Sequence, residues 1–267
     1  MLKAFNIAPH HAHPALEPIQ GGRILECKPG VWRWGCTEID VKAMYPSVMV
    51  ELGEKPEASP KERLLGLMML HLKQQRQRLP ELKILMNSVY GILASPGSSF
   101  YDPSLANKIT ARGRGLITFL ETAIEKAGGC VLYGHTDSVC YALPPGRRRL
   151  NHTTSSRHFE LTTKHYDGCI VFNKTTHWLW SGEAGAEELI FKGPLSTEPK
   201  TLQDAAWKYL CDGIEGGGEA RLPERLKDEI DAVLDAPAPI FWGAVHGLIE
   251  GFDPKFEERA AEIRERD

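Results

Sequence analysis

DVKAMYPSVM (Asp40–Met49) and VLYGHTDSV (Val131–Val139) each carry one aspartate in an apolar stretch. Such stretches read as strands, so a fold can bring the two carboxylates, Asp40 and Asp137, together at strand ends. Two carboxylates so placed can hold a pair of Mg²⁺ ions roughly 3.5–4 Å apart, an arrangement that serves in-line phosphoryl displacement. Between them lies KILMNSVYG (Lys83–Gly91), which reads as a helix whose Lys, Asn, Ser and Tyr suit a nucleotide.

Working outward, 24–28 and 31–39 read as two strands around a Pro29-Gly30 turn, the second running into Asp40. Ser59-Pro60-Lys61-Glu62 has the form of a capping box with Pro at the first helical position, predicting a helix over about 60–78. Lys73, Arg76 and Arg78 crowd its C-terminal end, where cations suit the helix dipole. Pro80 starts a second helix carrying Lys83. Asp102-Pro103 predicts a long helix over 103–127 that Gly128-Gly129 ends. Residues 130–133 and 138–143 read as a hairpin with GHTD at its tip, 144–158 as a polar basic loop, and 169–172 and 189–192 as further strands. From 202 on the pattern is helical, broken by a linker-like 212–220.

Length and composition set bounds. The 267 residues allow one or two domains with an ample core. No apolar run approaches the ~20 residues of a membrane span, and the first residues lack a signal peptide's apolar centre. Six cysteines without a CxxC pair read as buried reduced thiols, and a cytoplasmic setting is expected. The net charge of −3 conceals a division: residues 60–115 hold nine Lys/Arg against three Asp/Glu, and residues 212–267 hold seven against fifteen. Phosphate binding follows local charge, and the basic stretch is the one around Lys83.

Taken in order, the three segments resemble motifs A, B and C of the family B DNA polymerases. The first is matched by Asp40, Met44, Tyr45, Pro46 and Ser47, with Ala43 where Ser is usual. The second is matched by Lys83, Asn87, Ser88, Tyr90 and Gly91. The third is matched by Tyr133, Gly134, Thr136, Asp137 and Ser138, with His135 in place of the first of two aspartates. IQGG (Ile19–Gly22), FYDP (Phe100–Pro103) and KHY (Lys164–Tyr166) are shorter echoes of family elements, and the likeness runs from about Gly21 to Gly193.

The resemblance implies an α+β fold: a polymerase palm, an antiparallel sheet with helices and a ferredoxin-like core. Residues 1–59 would form an N-terminal segment and the first part of the palm, 60–90 a short helical-hairpin fingers, 91–200 the rest of the palm, and 201–267 a small helical thumb. It also implies a template-directed DNA polymerase using two Mg²⁺ ions, with Mn²⁺ able to substitute, and taking primer–template DNA and dNTPs. Asp40, Asp137 and the Val41 carbonyl would ligate metal, and Lys83 would pair with the triphosphate. Tyr45, Met44, Asn87 and Tyr90 would form the nucleotide pocket, with Tyr45 as the steric gate against a 2′-hydroxyl. Arg76 or Lys73 would add a phosphate contact. Gly91, Thr136, Lys164, Tyr166 and Lys192 would lie along the DNA.

Two departures keep alternatives open. Only 39 residues precede Asp40, too few for the family's exonuclease fold, so the chain is not expected to proofread itself. A second protein supplying exonuclease or processivity would make it half of a split enzyme, and a bacterial, viral or mobile-element context would suit so small a polymerase. His135 removes a negative charge, which tunes the site away from Mg²⁺ toward Mn²⁺ or marks a catalytically silent DNA-binding subunit. HHAH (His10–His13) lacks a second ligand cluster and reads as a polar N-terminus rather than a metal site.

Overall fold

The alternation of side chains along one strand, β2 (Cys36–Val41), sets up the arrangement. Cys36, Glu38 and Asp40 point to one face, and Thr37, Ile39 and Val41 to the other. β2 is an inner strand of a four-stranded antiparallel sheet with β3 (Cys130–His135), β4 (Ser138–Ala142) and β5 (Leu161–Tyr166), in the order β3-β4-β2-β5. Its register pairs Asp40 with Ser138 and Thr162, Glu38 with Cys140 and Lys164, and Cys36 with Tyr166. The structure, a computed structural model, describes residues 18–33, 35–143, 157–182, 188–215 and 223–235. HHAH, all but the last two residues of the basic loop over 144–158 and much of the acidic C-terminal stretch lie outside those residues.

Ile39, Val41, Val139 and Tyr141 form the apolar face of this sheet. They pack beneath α1 (Met44–Glu54) and α4 (Pro103–Lys126), meeting Val48, Met49, Ile109 and Ile117 in the largest core. α2 (Pro60–Gln75) begins with the expected capping box: Ser59 Oγ accepts from the Glu62 N–H, and the Glu62 carboxylate accepts from the Ser59 N–H. α3 (Leu82–Ala94) follows after a short turn. Asp102 caps α4 by accepting from the Leu105 N–H at 3.0 Å. Arg112 on α4 donates twice to Glu51 on α1, at 2.7 and 2.8 Å, which ties the two helices and holds the Glu51 carboxyl below its usual range.

A second sheet was not foreseen from the sequence. β1 (Gly30–Trp32), β6 (Gly168–Val171), β7 (His177–Ser181) and β8 (Glu188–Lys192) form it, all antiparallel, in the order β1-β6-β7-β8. The predicted strand over 31–39 is thus two strands in two sheets. The chain turns from one to the other at Gly35, whose φ of 84° suits only a residue without a side chain. The predicted strand at 24–28 also differs. This segment runs antiparallel beside β3, with the Leu25 N–H donating to Gly134 O and the Lys28 N–H to Leu132 O, but only Ile24 forms a bridge. It advances three residues where β3 advances two, and that extra residue breaks the ladder.

The two sheets face each other. Tyr133, Cys140 and Tyr166 of the first meet Cys169, Val171 and Leu179 of the second. On the outer face of the second sheet, Ile170, Trp178 and Phe191 pack with α5 (Lys200–Glu215) and α6 (Glu224–Leu234). The described residues therefore stack as helices, sheet, sheet, helices.

His177 marks the seam between the sheets. Its ring stacks on Tyr133 at 3.7 Å, its Nδ1 has no hydrogen-bond partner among the described residues, and burial pulls its pKa down to about 4. It is neutral in the fold, whereas the unfolded chain takes up its proton below about pH 6.5. Stability is therefore lost as pH falls from about 6.5 to about 4, by up to roughly 3 kcal/mol from this residue. His177→Phe is expected to shrink the fall in urea midpoint between pH 7 and pH 4.5. An unchanged fall would assign it to the carboxylates.

Candidate functional site

The polar face of β2 ends at Asp40, and the β3–β4 turn places Asp137 beside it. This turn is tight: Asp137 N–H donates to His135 O at 2.6 Å, and the Val41 N–H donates to Asp137 O at 2.8 Å, locking the turn to the end of β2. Thr136 carries the turn with a φ of 56°, and Ala43 enters α1 with a φ of 46°. Among the described residues these are the two non-glycine positions in left-handed backbone. Both line the same cavity, and each costs on the order of 1 kcal/mol that the surrounding structure holds in place.

That cavity, about 350 Å³, is walled by Asp40 and Asp137 from the sheet, Lys42, Met44 and Tyr45 from the start of α1, and Arg76 from the end of α2. Lys83, Met86, Asn87 and Tyr90 from α3 close it. α3 brings these together because Lys83, Met86, Asn87 and Tyr90 fall at helical spacing on one face. Met86 is fully buried beneath them, whereas Lys83 and Asn87 are exposed. The Tyr45 and Tyr90 rings touch, with centroids 4.7 Å apart. Gly22 closes one side: a Cβ there would lie 2.9 Å from Thr136 and 3.1 Å from the Tyr45 hydroxyl, so the backbone passes where no side chain fits.

Burial and the facing Asp40 hold the Asp137 carboxyl above its usual range, against the opposing pull of its own backbone N–H, His135 and Lys83. Two carboxylates that repel each other beside bare oxygen donors fit a hard divalent cation, which would relieve the repulsion. The three cations on the wall, Lys42, Arg76 and Lys83, suit a polyanion. The site can therefore accommodate cations and a phosphate chain together.

Some expected residues arrive there and others do not. Arg76 reaches the cavity. Lys73 does not: its ammonium donates to Ser47 Oγ at 2.8 Å and to His158 O at 3.4 Å. Val41 is buried and anchors the turn through its N–H. Gly91 sits on open helix surface with nothing near its α-carbon, and Thr136 lies on the cavity wall. Lys164 and Lys192 are exposed, and both act on Glu38. Tyr166 points into the seam between the sheets at 4% exposure, so its ring is not on the surface. His135 is exposed, with Nδ1 3.0 Å from Thr136 Oγ1.

The sequence reading passed over Lys42 and Glu38. Lys42 lines the cavity and pairs with Glu160. Glu38 is a third carboxylate on the Asp40 face, raised by burial and by both aspartates. Strand parity was the available signal, since Glu38 lies two residues from Asp40.

The model of the family described as DNA polymerase family B matches residues 67–146. DNA polymerase II of Escherichia coli (strain K12) is 29% identical over a match covering 49% of this chain and 20% of that protein. DNA polymerase 1 of Pyrococcus abyssi is 25% identical, covering 49% and 22%. The chain thus spans about a fifth of the length of these relatives. The structure of the family B DNA polymerase from the hyperthermophilic archaeon Pyrobaculum calidifontis superposes with a TM-score of 0.51 at 17% identity, covering 92% of this chain and 36% of that one. This likeness speaks to the fold. No helix among the described residues is long and apolar enough to cross a membrane.

Proposed function

We propose that the chain is a family B DNA polymerase and that it adds deoxynucleotides to a primer 3′-hydroxyl under the direction of a DNA template. The observation that carries this reading is the single cavity in which Asp40 and Asp137 meet Lys83, Asn87 and Tyr90, residues spread over nearly 100 positions of sequence. In this reading the first sheet with α1 and α4 is the palm, α2 and α3 are short fingers, and the helices after residue 200 begin a thumb.

Asp40 and Asp137, with the Val41 carbonyl, would hold two divalent cations, Mg²⁺ or Mn²⁺. Bound there, the ions supply a lowered pKa for the attacking hydroxyl and charge neutralisation on the triphosphate. The primer oxygen forms a bond to the α-phosphorus as the bond to pyrophosphate breaks, and the hydroxyl proton leaves to solvent. Lys83 and Arg76 face the β- and γ-phosphates and stabilise the departing charge. Lys42 adds a third cation at the same wall. Gly91 would leave room on α3 for the template base, and Lys164 and Lys192 would make backbone contacts to the primer strand.

Tyr45, braced by Tyr90, is the proposed floor beneath the sugar. Tyr45→Val is expected to raise ribonucleotide incorporation at least about tenfold relative to deoxynucleotide, with dNTP use little changed. Competition assays with both sugars measure this, and an unchanged ratio would remove Tyr45 from sugar selection. Primer extension by the purified chain, in Mg²⁺ and in Mn²⁺, tests the proposal as a whole. Template-matched extension supports it. Absence of extension with primer–template still bound favours the silent DNA-binding reading that His135 raises.

A further inference from the structure

The seam between the two sheets holds three cysteines from three strands. Cys36 of β2, Cys140 of β4 and Cys169 of β6 place all their sulfur atoms within 4.8 Å of one another. Their exposures are 4%, 0% and 0%. None of the roles proposed for the cavity uses them. As neutral thiols they could simply fill space as small apolar groups. Two neighbours argue against that. The Tyr166 hydroxyl is buried at the same seam without a hydrogen-bond partner among the described residues, and the Tyr133 hydroxyl has only the Cys140 thiol beside it. Tyr133 lies close enough to feel Cys140 and Cys169, and Tyr166 to feel Cys36 and Cys140. A buried hydroxyl left without a partner destabilises the fold. A neutral thiol is a weak acceptor, whereas a metal-bound thiolate is a strong one.

We propose that Cys36, Cys140 and Cys169 form a structural site for a soft metal ion, Zn²⁺, that ties the second sheet to the first behind Asp40 and Asp137. Zn–S bonds of about 2.3 Å at tetrahedral angles set the three sulfurs about 3.8 Å apart, so the side chains need move by only about 1 Å, with a water as the fourth ligand. Thiolate donors favour Zn²⁺ over the hard ions suited to the cavity. Binding releases three thiol protons, and three thiolates on Zn²⁺ leave one net negative charge. The Tyr133 and Tyr166 hydroxyls then donate to that charge, as outer partners of metal ligands do. The site is four residues from Asp40 on β2 and three from Asp137 along the chain to β4, so its loss loosens the strands that carry both.

The experiment is metal analysis of the full chain expressed with added Zn²⁺ and passed through gel filtration. About one zinc per chain is expected, with a thiolate-to-metal charge-transfer band after exchange to Co²⁺. Cys169→Ser is expected to drop zinc below about a tenth of that, while Cys27→Ser, outside the cluster, keeps it. Wild-type protein that retains no zinc and shows no Co²⁺ band overturns the proposal, whatever the fate of the variants. So does zinc retained undiminished by folded Cys169→Ser. Neither readout depends on catalysis, so a failure here leaves the polymerase reading standing.

Discussion

Replacing Asp137 by alanine is expected to lower primer extension by at least about a thousandfold while leaving the fold intact. The side chain stands at the tip of a turn held by backbone bonds, Asp137 N–H to His135 O and Val41 N–H to Asp137 O, so its removal costs the scaffold little. What it removes is one of two neighbouring carboxylates at the end of β2. Without it a cation loses both an oxygen ligand and half of the charge that favours binding. Single-turnover extension with saturating Mg²⁺ or Mn²⁺ measures the loss, and unchanged thermal unfolding shows that it is chemical. Extension within tenfold of wild type would mean that Asp137 is not a metal ligand.

Lys83→Ala is expected to cost about a hundredfold in kcat/KM for the incoming nucleotide, with primer–template affinity little changed. Lys83 is exposed on α3, faces the cavity and sits near enough to Asp137 to oppose its raised pKa. Its loss removes a cation from the triphosphate path but no core packing, since Met86 beneath it supplies that. A Lys83→Arg variant keeps the charge and is expected to recover part of the activity. If binding of the DNA falls and nucleotide use does not, the lysine serves the template instead.

The aspartate-bearing segments were legible because their chemistry and their periodicity agree. Asp40 ends an alternating strand, Asp137 sits in a hairpin tip, and Ser59-Pro60 and Asp102-Pro103 start helices by local rules that tertiary packing has no reason to override. The second sheet was not legible. The strands over 169–172 and 189–192 were readable one by one, but β7 between them is only five residues long after an Asn-Lys-Thr-Thr turn, and nothing in the pattern says which strands pair. Nothing local distinguishes one strand over 31–39 from two in different sheets, because the break rests on the φ of Gly35. Lys73 and Tyr166 show the same limit at the site. Their residue types suited phosphate and DNA, but the packing directs one to Ser47 and the other into the seam.

The central claim is that Asp40 and Asp137 jointly hold divalent cations against a nucleotide triphosphate. Anomalous diffraction from crystals of the full chain with Mn²⁺, primer–template and a non-hydrolysable dNTP tests it most directly. The account predicts Mn²⁺ peaks bound by both carboxylates, with the triphosphate running from them toward Lys83 and Arg76. Manganese and triphosphate located elsewhere, or nucleotide bound in the cavity with no metal at either aspartate, would contradict it.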